Sequence, residues 1–305
     1  MTAAPPNPLA ELEPAVARLL DRHLATAKEW FPHDYVPWDL GRSFTDAPWE
    51  AADSGLSAVA RTALELNLLT EDNLPYYHLA IWSLFGGQGA WGEWARRWTA
   101  EEGRHSIALR DYLLVTRAVD PVALERERMD HVSRGYYPRR IPGPLDGLVY
   151  VTLQELATRI AHRNTGAITG DPVAERLLVR VALDENLHYA FYRDVACAAI
   201  ELDPSAMVLA MKRQVLGFAM PGFELRGFRE RAITIAAAGI YDLRIHHDQV
   251  LCPVLLRHWR LRELRGLSDE AERAREAVLT FLESLGGASA NAAQGQNAAP
   301  ANACA

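Results

Sequence analysis

The chain has 305 residues, of which 49% are hydrophobic and 23% charged, and its formal net charge is −7. A chain of this length and composition can bury a large core, which we expect to form one domain. The acidic balance, without a basic surface interleaved with aromatic residues, argues against a nucleic-acid-binding protein.

The N-terminal sequence MTAAPPNPLA has neither the basic start nor the apolar core of a signal peptide, and residues 1–10 are expected to be flexible. No stretch approaches the ~20 apolar residues of a membrane span. Cys197, Cys252 and Cys304 lack the spacing of a C-x-x-C motif, so neither disulfides nor an iron–sulfur cluster is predicted. The sequence therefore predicts a cytoplasmic protein without a membrane span.

Helical periodicity dominates the chain. Ala, Leu, Arg and Glu fill long stretches with a 3.6-residue repeat and alternating β-branched runs are few, so the fold is predicted to be all-α. The segments 30–50 and 135–144 are rich in Pro, Gly and aromatic residues and are expected to be ordered loops. One domain is predicted over residues 11–285, followed by a disordered tail over residues 286–305. The predicted helices span residues 11–29, 56–68, 71–85, 90–118, 122–134, 145–168, 172–200, 203–218, 227–257 and 268–284.

Two Glu-x-x-His pairs occur, each with a further glutamate one helical hairpin upstream. In chain order the six residues are Glu71, Glu102, His105, Glu155, Glu185 and His188. Residues three apart share a helix face, so the glutamate and histidine of each pair can reach one metal ion. Such a pair on each of two helices, with a glutamate on each of two others, is the ligand pattern of ferritin-like di-iron and di-manganese bundles.

Turn signals support this pairing of helices. Gly170, Asp171 and Pro172 fit a helix end, a cap and the first turn of the next helix. At 1.5 Å per residue the chain climbs ~20 Å from Glu155 to this turn and descends ~20 Å to Glu185, so both carboxylates meet at one height. The glycine-rich break at residues 86–89 divides the first hairpin in a similar way.

Glu-x-x-His pairs also occur by chance on solvated helix faces, but here they have matched partner glutamates and lie in apolar sequence. Carboxylates with one imidazole per metal suit two iron ions per chain, with manganese as a possible substitute. Glu102 and Glu185 are expected to bridge both metals. Glu71 with His105 and Glu155 with His188 would complete the two shells. Two adjacent irons can oxidise an unactivated C–H bond with dioxygen, and the chain carries no flavin, haem or cluster motif to supply electrons.

Four segments resemble the soluble acyl-[acyl-carrier-protein] desaturases, the stearoyl-type enzymes of plant plastids with relatives in actinobacteria. The segments are LLTEDNLPYY (68–77), WARRWTAEEGRH (94–105), LQELATRIAHRNT (153–165) and DENLH (184–188). The likeness extends from about Trp30 to residue 268, and W-T-A-E-E-x-R-H is its most specific part. The resemblance implies a ferritin-like four-helix di-iron bundle with additional helices, usually a homodimer. It also implies oxygen- and ferredoxin-dependent insertion of a cis double bond into a fatty acyl chain on acyl carrier protein, in fatty acid biosynthesis.

The resemblance also implies roles for single residues. Thr158 matches a threonine beside the oxygen-binding side of the metals, although a helix threonine also commonly bonds its own backbone. Trp30 and Asp184 match a suspected electron path, and Trp98 matches a residue near the metals, although tryptophans are more often core residues. His162 has a family counterpart too, but it is expected to be a capped or solvated histidine.

Some features depart from the plant enzymes. Asn186 and Leu187 replace basic residues, and the compact loop at 86–89 could change the depth of the acyl pocket. An acidic carrier protein needs a local basic patch on this acidic chain. The candidates are Arg257, Arg260, Arg262 and Arg265, or Arg139 and Arg140 beside Tyr136 and Tyr137.

Other functions stay open at the level of sequence. A di-iron hydroxylase or N-oxygenase acting on a carrier-bound metabolite would use the same ligands. A catalytically silent homologue would bind metal without turnover. Iron storage is a further alternative, although a storage subunit would not need the helices added to the bundle here.

Overall fold

The computed structural model describes residues 7–135 and 141–297, with side chains described up to residue 287. Within these ranges the protein has eleven α-helices and no strand, which confirms the all-α prediction. Short 3₁₀ turns lie mainly between the first two helices. The helices are α1 (Pro8–Thr26), α2 (Ala58–Glu71), α3 (Leu74–Phe85), α4 (Gly89–Val115), α5 (Pro121–Arg134), α6 (Pro144–Ile168), α7 (Pro172–Leu202), α8 (Pro204–Leu216), α9 (Phe228–Ala237), α10 (Leu243–Ile245) and α11 (Asp269–Asn297).

Helices α2, α4, α6 and α7 form a bundle, and the other helices pack around it. Helices α6 and α7 form a long hairpin, whose turn has Gly170 at φ 69°. The Asp171 side chain accepts a hydrogen bond from the Val173 amide at 2.7 Å, and Pro172 is the first residue of α7. The turn therefore uses the three residues that predicted it.

Helix α1 lies against α4 and α7, on the outside of the bundle. Leu12, Val16 and Leu20 bury the inner face of α1. The main hydrophobic core lies beneath that face, where the ring of Trp94 on α4 stacks on Phe191 of α7. This packing holds α4 and α7 side by side.

The N-terminal boundary differs from the prediction. Helix α1 begins at Pro8, whereas flexibility was expected through residue 10. The Asn7 side chain accepts a hydrogen bond from the Leu9 amide at 3.1 Å, so this asparagine caps the helix. Residues 1–6 lie outside the described ranges.

The single helix predicted over residues 227–257 is wrong. Helix α9 ends at Ala237, and Gly239 takes a φ of 70° that stops the helix. Asp242 then caps α10, whose end continues into π-helical turns at His246–Leu251 and Pro253–His258. Pro253 has no N–H to donate, which favours a departure from the regular α-helical ladder.

The C-terminal helix also differs from the prediction. Helix α11 continues to Asn297, whereas the sequence predicted a helix end at 284 and a disordered tail from 286. Alanine has the highest helix propensity and recurs throughout this stretch, which offsets the glycines. Residues 298–305 lie outside the described ranges, and the division into one domain over 11–285 stays a prediction. None of the described helices is long and apolar enough to cross a membrane.

Candidate metal centre

The bundle brings all six predicted ligands into its centre. Helix α2 supplies a glutamate at its last residue, α6 supplies one near its middle, and α4 and α7 each supply a Glu-x-x-His pair. Every one of these side chains is buried, with at most 7% of its surface exposed. The residues are Glu71, Glu102, His105, Glu155, Glu185 and His188.

The six residues form two overlapping groups of four, and within each group the candidate ligand atoms lie within 4.8 Å of one another. One group adds Glu71 and His105 to the shared pair, and the other adds Glu155 and His188. The shared pair is Glu102 and Glu185. This is the arrangement expected of two bridging glutamates between two metals, although the ligand role of each residue stays a prediction.

The polar atoms at the centre fit a pair of cations. Within the described residues, Glu102 Oε1, His105 Nδ1, Glu155 Oε2 and His188 Nδ1 are buried and make no well-directed hydrogen bond, although His188 Nδ1 lies 2.8 Å from Glu102 Oε1. Leaving a buried polar group unsatisfied costs about 1–3 kcal/mol, more if it is charged. Because these atoms converge between the helices, divalent cations held there would satisfy all of them together.

The electrostatics of the centre point the same way. Burial, reinforced by the charge of Glu185, holds the pKa of Glu155 well above its usual value. Burial alone would lower the pKa of His188, but hydrogen bonds to Glu101 and Glu102 outweigh it and hold that pKa well above its usual value. Protons therefore balance the carboxylates when no cation is bound, and a cation would displace them.

Two further carboxylates orient the histidines. His188 Nε2 lies 2.9 Å from Glu101 Oε2, and His105 Nε2 lies 3.5 Å from Asp184 Oδ2. Each histidine thus turns Nδ1 towards the centre and Nε2 towards an outer carboxylate. The contact of His188 is a hydrogen bond, which fixes that ring and its tautomer, whereas the contact of His105 is at ion-pair distance. Glu101 directly precedes Glu102 on α4 and contacts His188 on α7. Asp184 directly precedes Glu185 on α7 and contacts His105 on α4.

The sequence analysis missed Glu101. A signal was nevertheless present, because both motifs read acidic-Glu-x-x-His, as EEGRH and DENLH. Glu101 is 3% exposed, and its carboxylate accepts contacts from two histidines and Arg97. Burial would raise the pKa of Glu101, but the hydrogen bonds from His188 and His23 outweigh it and hold that pKa well below its usual value.

Trp30 and Asp184, the predicted electron path, are in contact with each other and with His105. The Trp30 indole donates a hydrogen bond to Asp184 Oδ2 at 2.7 Å, and its ring lies parallel to His105 with centroids 6.4 Å apart. Arg104 also bonds Asp184 Oδ2, at 3.0 Å. The structure brings these residues together, and the electron-transfer role stays a prediction.

Thr158 lies at the edge of the centre, with its hydroxyl 3.0 Å from Glu185 Oε2 and 3.1 Å from the backbone oxygens of Gln154 and Glu155. A hydroxyl carries one proton, so it donates either to the carboxylate or to the helix backbone. Both interpretations of this threonine therefore have a geometric basis. The neighbouring Trp98 donates a hydrogen bond to Glu155 Oε1 at 3.0 Å.

The expectation of a capped or solvated His162 is wrong. His162 is 2% exposed, and its Nε2 lies 2.9 Å from Glu71 Oε1. The residue lies four positions after Thr158 on α6, so both side chains face the centre. His162 therefore helps to position the carboxylate of Glu71 through this hydrogen bond.

Two mainly apolar hollows meet at the centre. The first lies between α2, α6 and the segment 220–241, and the second lies between α3, α4 and α6. They enclose about 680 and 580 Å³ of space between atoms, including their openings to solvent. The residues that line both are Thr70, Glu71, Thr158 and Pro221. An extended apolar molecule that occupied both hollows would pass directly beside the carboxylates.

Comparison with known proteins identifies the family. Residues 7–304 match the family described as "Fatty acid desaturase". The chain belongs to the fatty acid desaturase family. This desaturase is therefore an oxidoreductase, and the resemblance found in its sequence is confirmed.

Mycobacterial proteins are among the most similar relatives. The desaturase is 46% identical over 287 residues to "Putative acyl-[acyl-carrier-protein] desaturase DesA1" of Mycobacterium tuberculosis, covering 91% of this chain and 85% of that protein. It is 35% identical over 234 residues to DesA2 of the same organism, covering 76% and 85%. The X-ray structure of DesA2 superimposes with a TM-score of 0.66 at 30% identity, covering 82% of this chain and 98% of that one. The acyl-[acyl-carrier-protein] desaturase fold, which is ferritin-like, is thereby confirmed.

Proposed function

We propose that this desaturase inserts a cis double bond into a fatty acyl chain carried on acyl carrier protein, with dioxygen as the oxidant. The observation that carries the proposal is the pair of overlapping four-residue groups directly beside two apolar hollows. The relatives named as acyl-[acyl-carrier-protein] desaturases support the choice of substrate.

The six central residues would hold two iron ions, with manganese as a possible substitute. Iron bound there would supply the oxidising chemistry that side chains cannot perform. The protein contributes the positions of the ligands. Glu101 holds the imidazole of His188 by its Nε2 atom, and Asp184 lies at ion-pair distance from Nε2 of His105. Trp98 and His162 hold the outer oxygens of Glu155 and Glu71.

The hollows would bind the acyl chain by burying it between apolar side chains. Thr158 lies where the two hollows meet, so its hydroxyl would lie beside the part of the chain that passes the metals. Its hydrogen bond to Glu185 or to the helix backbone leaves that hydroxyl oriented, which suits a role in oxygen or proton handling. Apolar walls also exclude water from the oxidised position.

The proposal requires protein partners. An acidic carrier protein would dock on a basic patch, for which the described candidates are Arg257, Arg260, Arg262 and Arg265. Arg260 pairs with Glu263 and Arg262 lies 3.6 Å from Glu283, so both are already engaged in ion pairs. Arg139 and Arg140, with Tyr136 and Tyr137, lie outside the described residues. Ferredoxin or a similar carrier would supply electrons, with Trp30 and Asp184 as their path, and the enzyme would act as a homodimer in the cytoplasm.

The test is aerobic turnover of iron-loaded protein with stearoyl-carrier protein, ferredoxin and its reductase, followed by mass spectrometry of the released acyl chain. We expect the chain to lose two hydrogens. Glu102→Gln should abolish the product, whereas Glu93→Gln, on the exposed face of the same helix, should leave it unchanged. Gain of an oxygen atom would instead identify a hydroxylase, whereas an N-oxygenase would leave this nitrogen-free chain unchanged. An unchanged chain with both irons present would indicate a silent homologue or another carrier-bound substrate.

A further inference from the structure

The N-terminal segment contacts both of the carboxylates that orient the histidines. His23, near the end of α1, lies with Nε2 2.9 Å from Glu101 Oε2. Trp30, four residues beyond the end of α1, donates to Asp184 Oδ2 at 2.7 Å. Neither residue belongs to the four helices that carry the candidate ligands. The segment from α1 to Trp30 therefore lies across the outer side of the centre and touches both supports.

His23 has one polar contact among the described residues. The side chain is 3% exposed, and its Nδ1 is buried without a hydrogen-bond partner. Its ring meets Trp94 edge to face at 5.0 Å and lies nearly parallel to His188 at 6.0 Å. A buried imidazole that leaves one nitrogen unsatisfied loses stability. The remaining nitrogen of His23 is committed to Glu101.

One oxygen of Glu101 joins the two histidines. Oε2 lies 2.9 Å from Nε2 of both His23 and His188, whereas Oε1 lies 2.5 Å from Arg97. Because Nδ1 of His188 faces the centre, its Nε2 carries the proton and donates to Glu101. His23 likewise donates from Nε2, so Oε2 accepts from both sides.

Asp184, the outer carboxylate beside His105, accepts hydrogen bonds from more donors than Glu101 Oε2 does. Asp184 is bonded by Trp30, Arg104 and Arg180, so the loss of one partner leaves others in place. Glu101 Oε2 has only the two imidazoles in the described part of the chain. Without His23, the Glu101 carboxylate would be free to turn towards Arg97 and away from His188.

We propose that His23 is a positioning residue of the metal centre, which acts through Glu101 to hold His188 in its ligating orientation. The proposal rests on the metal centre of the proposed function but not on any acyl substrate. Loss of an outer partner of a ligating histidine typically costs about 10-fold to 100-fold in metal affinity. His23 acts one step further out, so the lower end of that range is expected, and only for the metal bound by His188.

The test uses cobalt(II), loaded into the full chain to two ions per chain, and follows its release to a chelator. His23→Leu removes the donor, and His23→Gln keeps an amide N–H in a similar position. Leu20→Ala, on the buried face of the same helix, is the matched control because it weakens the packing of α1 without touching Glu101. For His23→Leu we expect half of the cobalt to leave about 10-fold faster than in the wild type, with near-normal rates for His23→Gln.

Proton NMR of the same cobalt proteins gives a second measurement. The wild type should show two shifted, exchangeable imidazole N–H signals, and His23→Leu should move or lose one of them. Release of both ions at wild-type rates, or equal acceleration of both ions as in Leu20→Ala, would overturn the role of His23. A wild type that binds fewer than two ions would instead refute the metal centre itself, so the two failures are distinguishable before any variant is made.

Discussion

At the scale of single residues, Glu102 and Glu71 are expected to differ in how many metals they bind. Glu102 belongs to both groups of candidate ligands, whereas Glu71 belongs to one. Glu102→Ala is therefore expected to lose both metals, and Glu71→Ala to retain about one per chain. Elemental analysis of purified protein measures this, with circular dichroism to show that the helices persist. Exposed Glu93→Ala on α4 should retain both metals, and two retained metals in Glu102→Ala would contradict the bridging arrangement.

The buried protons make metal binding depend on pH. Burial and neighbouring charge hold the pKa of Glu155 well above its usual value, and carboxylates outweigh burial to raise that of His188. Both groups keep their protons until the pH exceeds these raised values, and both must lose them to bind a metal. Affinity is therefore expected to rise with pH, and binding is expected to release protons. Calorimetry in buffers of different ionisation enthalpy counts the protons, and affinity independent of pH would exclude this exchange.

The six candidate ligands could be predicted because helical spacing places them on facing sides of two hairpins. Glu101 carried a weaker signal, the acidic residue before each shared glutamate. His23 could not be found in this way, because 78 residues separate it from Glu101 and a lone histidine has no spacing to recognise. His162 was misjudged for the same reason, since its partner Glu71 lies 91 residues away. Contacts between distant segments depend on how whole helices pack, which local periodicity does not specify.

At the scale of elements, the hairpin of α6 and α7 depends on one glycine. Gly170 takes a φ of 69°, and a Cβ atom there would meet no other atom within 4 Å. Gly170→Ala should therefore lower the free energy of unfolding by about 1–2 kcal/mol through backbone strain alone. Urea denaturation measures the change. Gly55→Ala has equally open space without a positive φ, so it should cause no such loss.

Long amphipathic elements such as α4, α6 and α7 were predictable, because their periodicity runs over many turns and a glycine or proline marks the start of each helix. The break after α9 was missed, although Gly239 is a recognisable stop signal. The apolar residues on either side of Gly239 in the sequence continue the helical pattern across the break. The extension of α11 to Asn297 could not be inferred from hydrophobic pattern, because that stretch depends on alanine propensity rather than on an apolar face.

At the scale of the whole molecule, the two hollows differ in the helices that enclose them. Ala161 lines the first and Ala80 the second. A phenylalanine at either position would fill part of that hollow. The variant that blocks the hollow for the methyl end of the acyl chain should reduce kcat/KM for stearoyl carrier protein more than for palmitoyl carrier protein, because the stearoyl chain is longer. The other variant should reduce both alike.

Thermal unfolding of Ala161→Phe and Ala80→Phe provides the control, because overpacking alone typically costs about 1–3 kcal/mol. Wild-type turnover of both substrates by both variants would show that the acyl chain lies elsewhere. Length discrimination in one variant alone would assign the hollow that receives the methyl end.

The exchange of supports between α4 and α7 has a consequence for the biosynthesis of the protein. Glu101 on α4 serves His188 on α7, and Asp184 on α7 serves His105 on α4. A nascent chain that has been synthesised only through α4 therefore contains His105 without Asp184. It also lacks Glu185, so neither group of candidate ligands is complete. During translation ferrous ions would therefore encounter no complete metal site. We expect the chain to bind its metals only after α7, the last helix of the bundle, has folded.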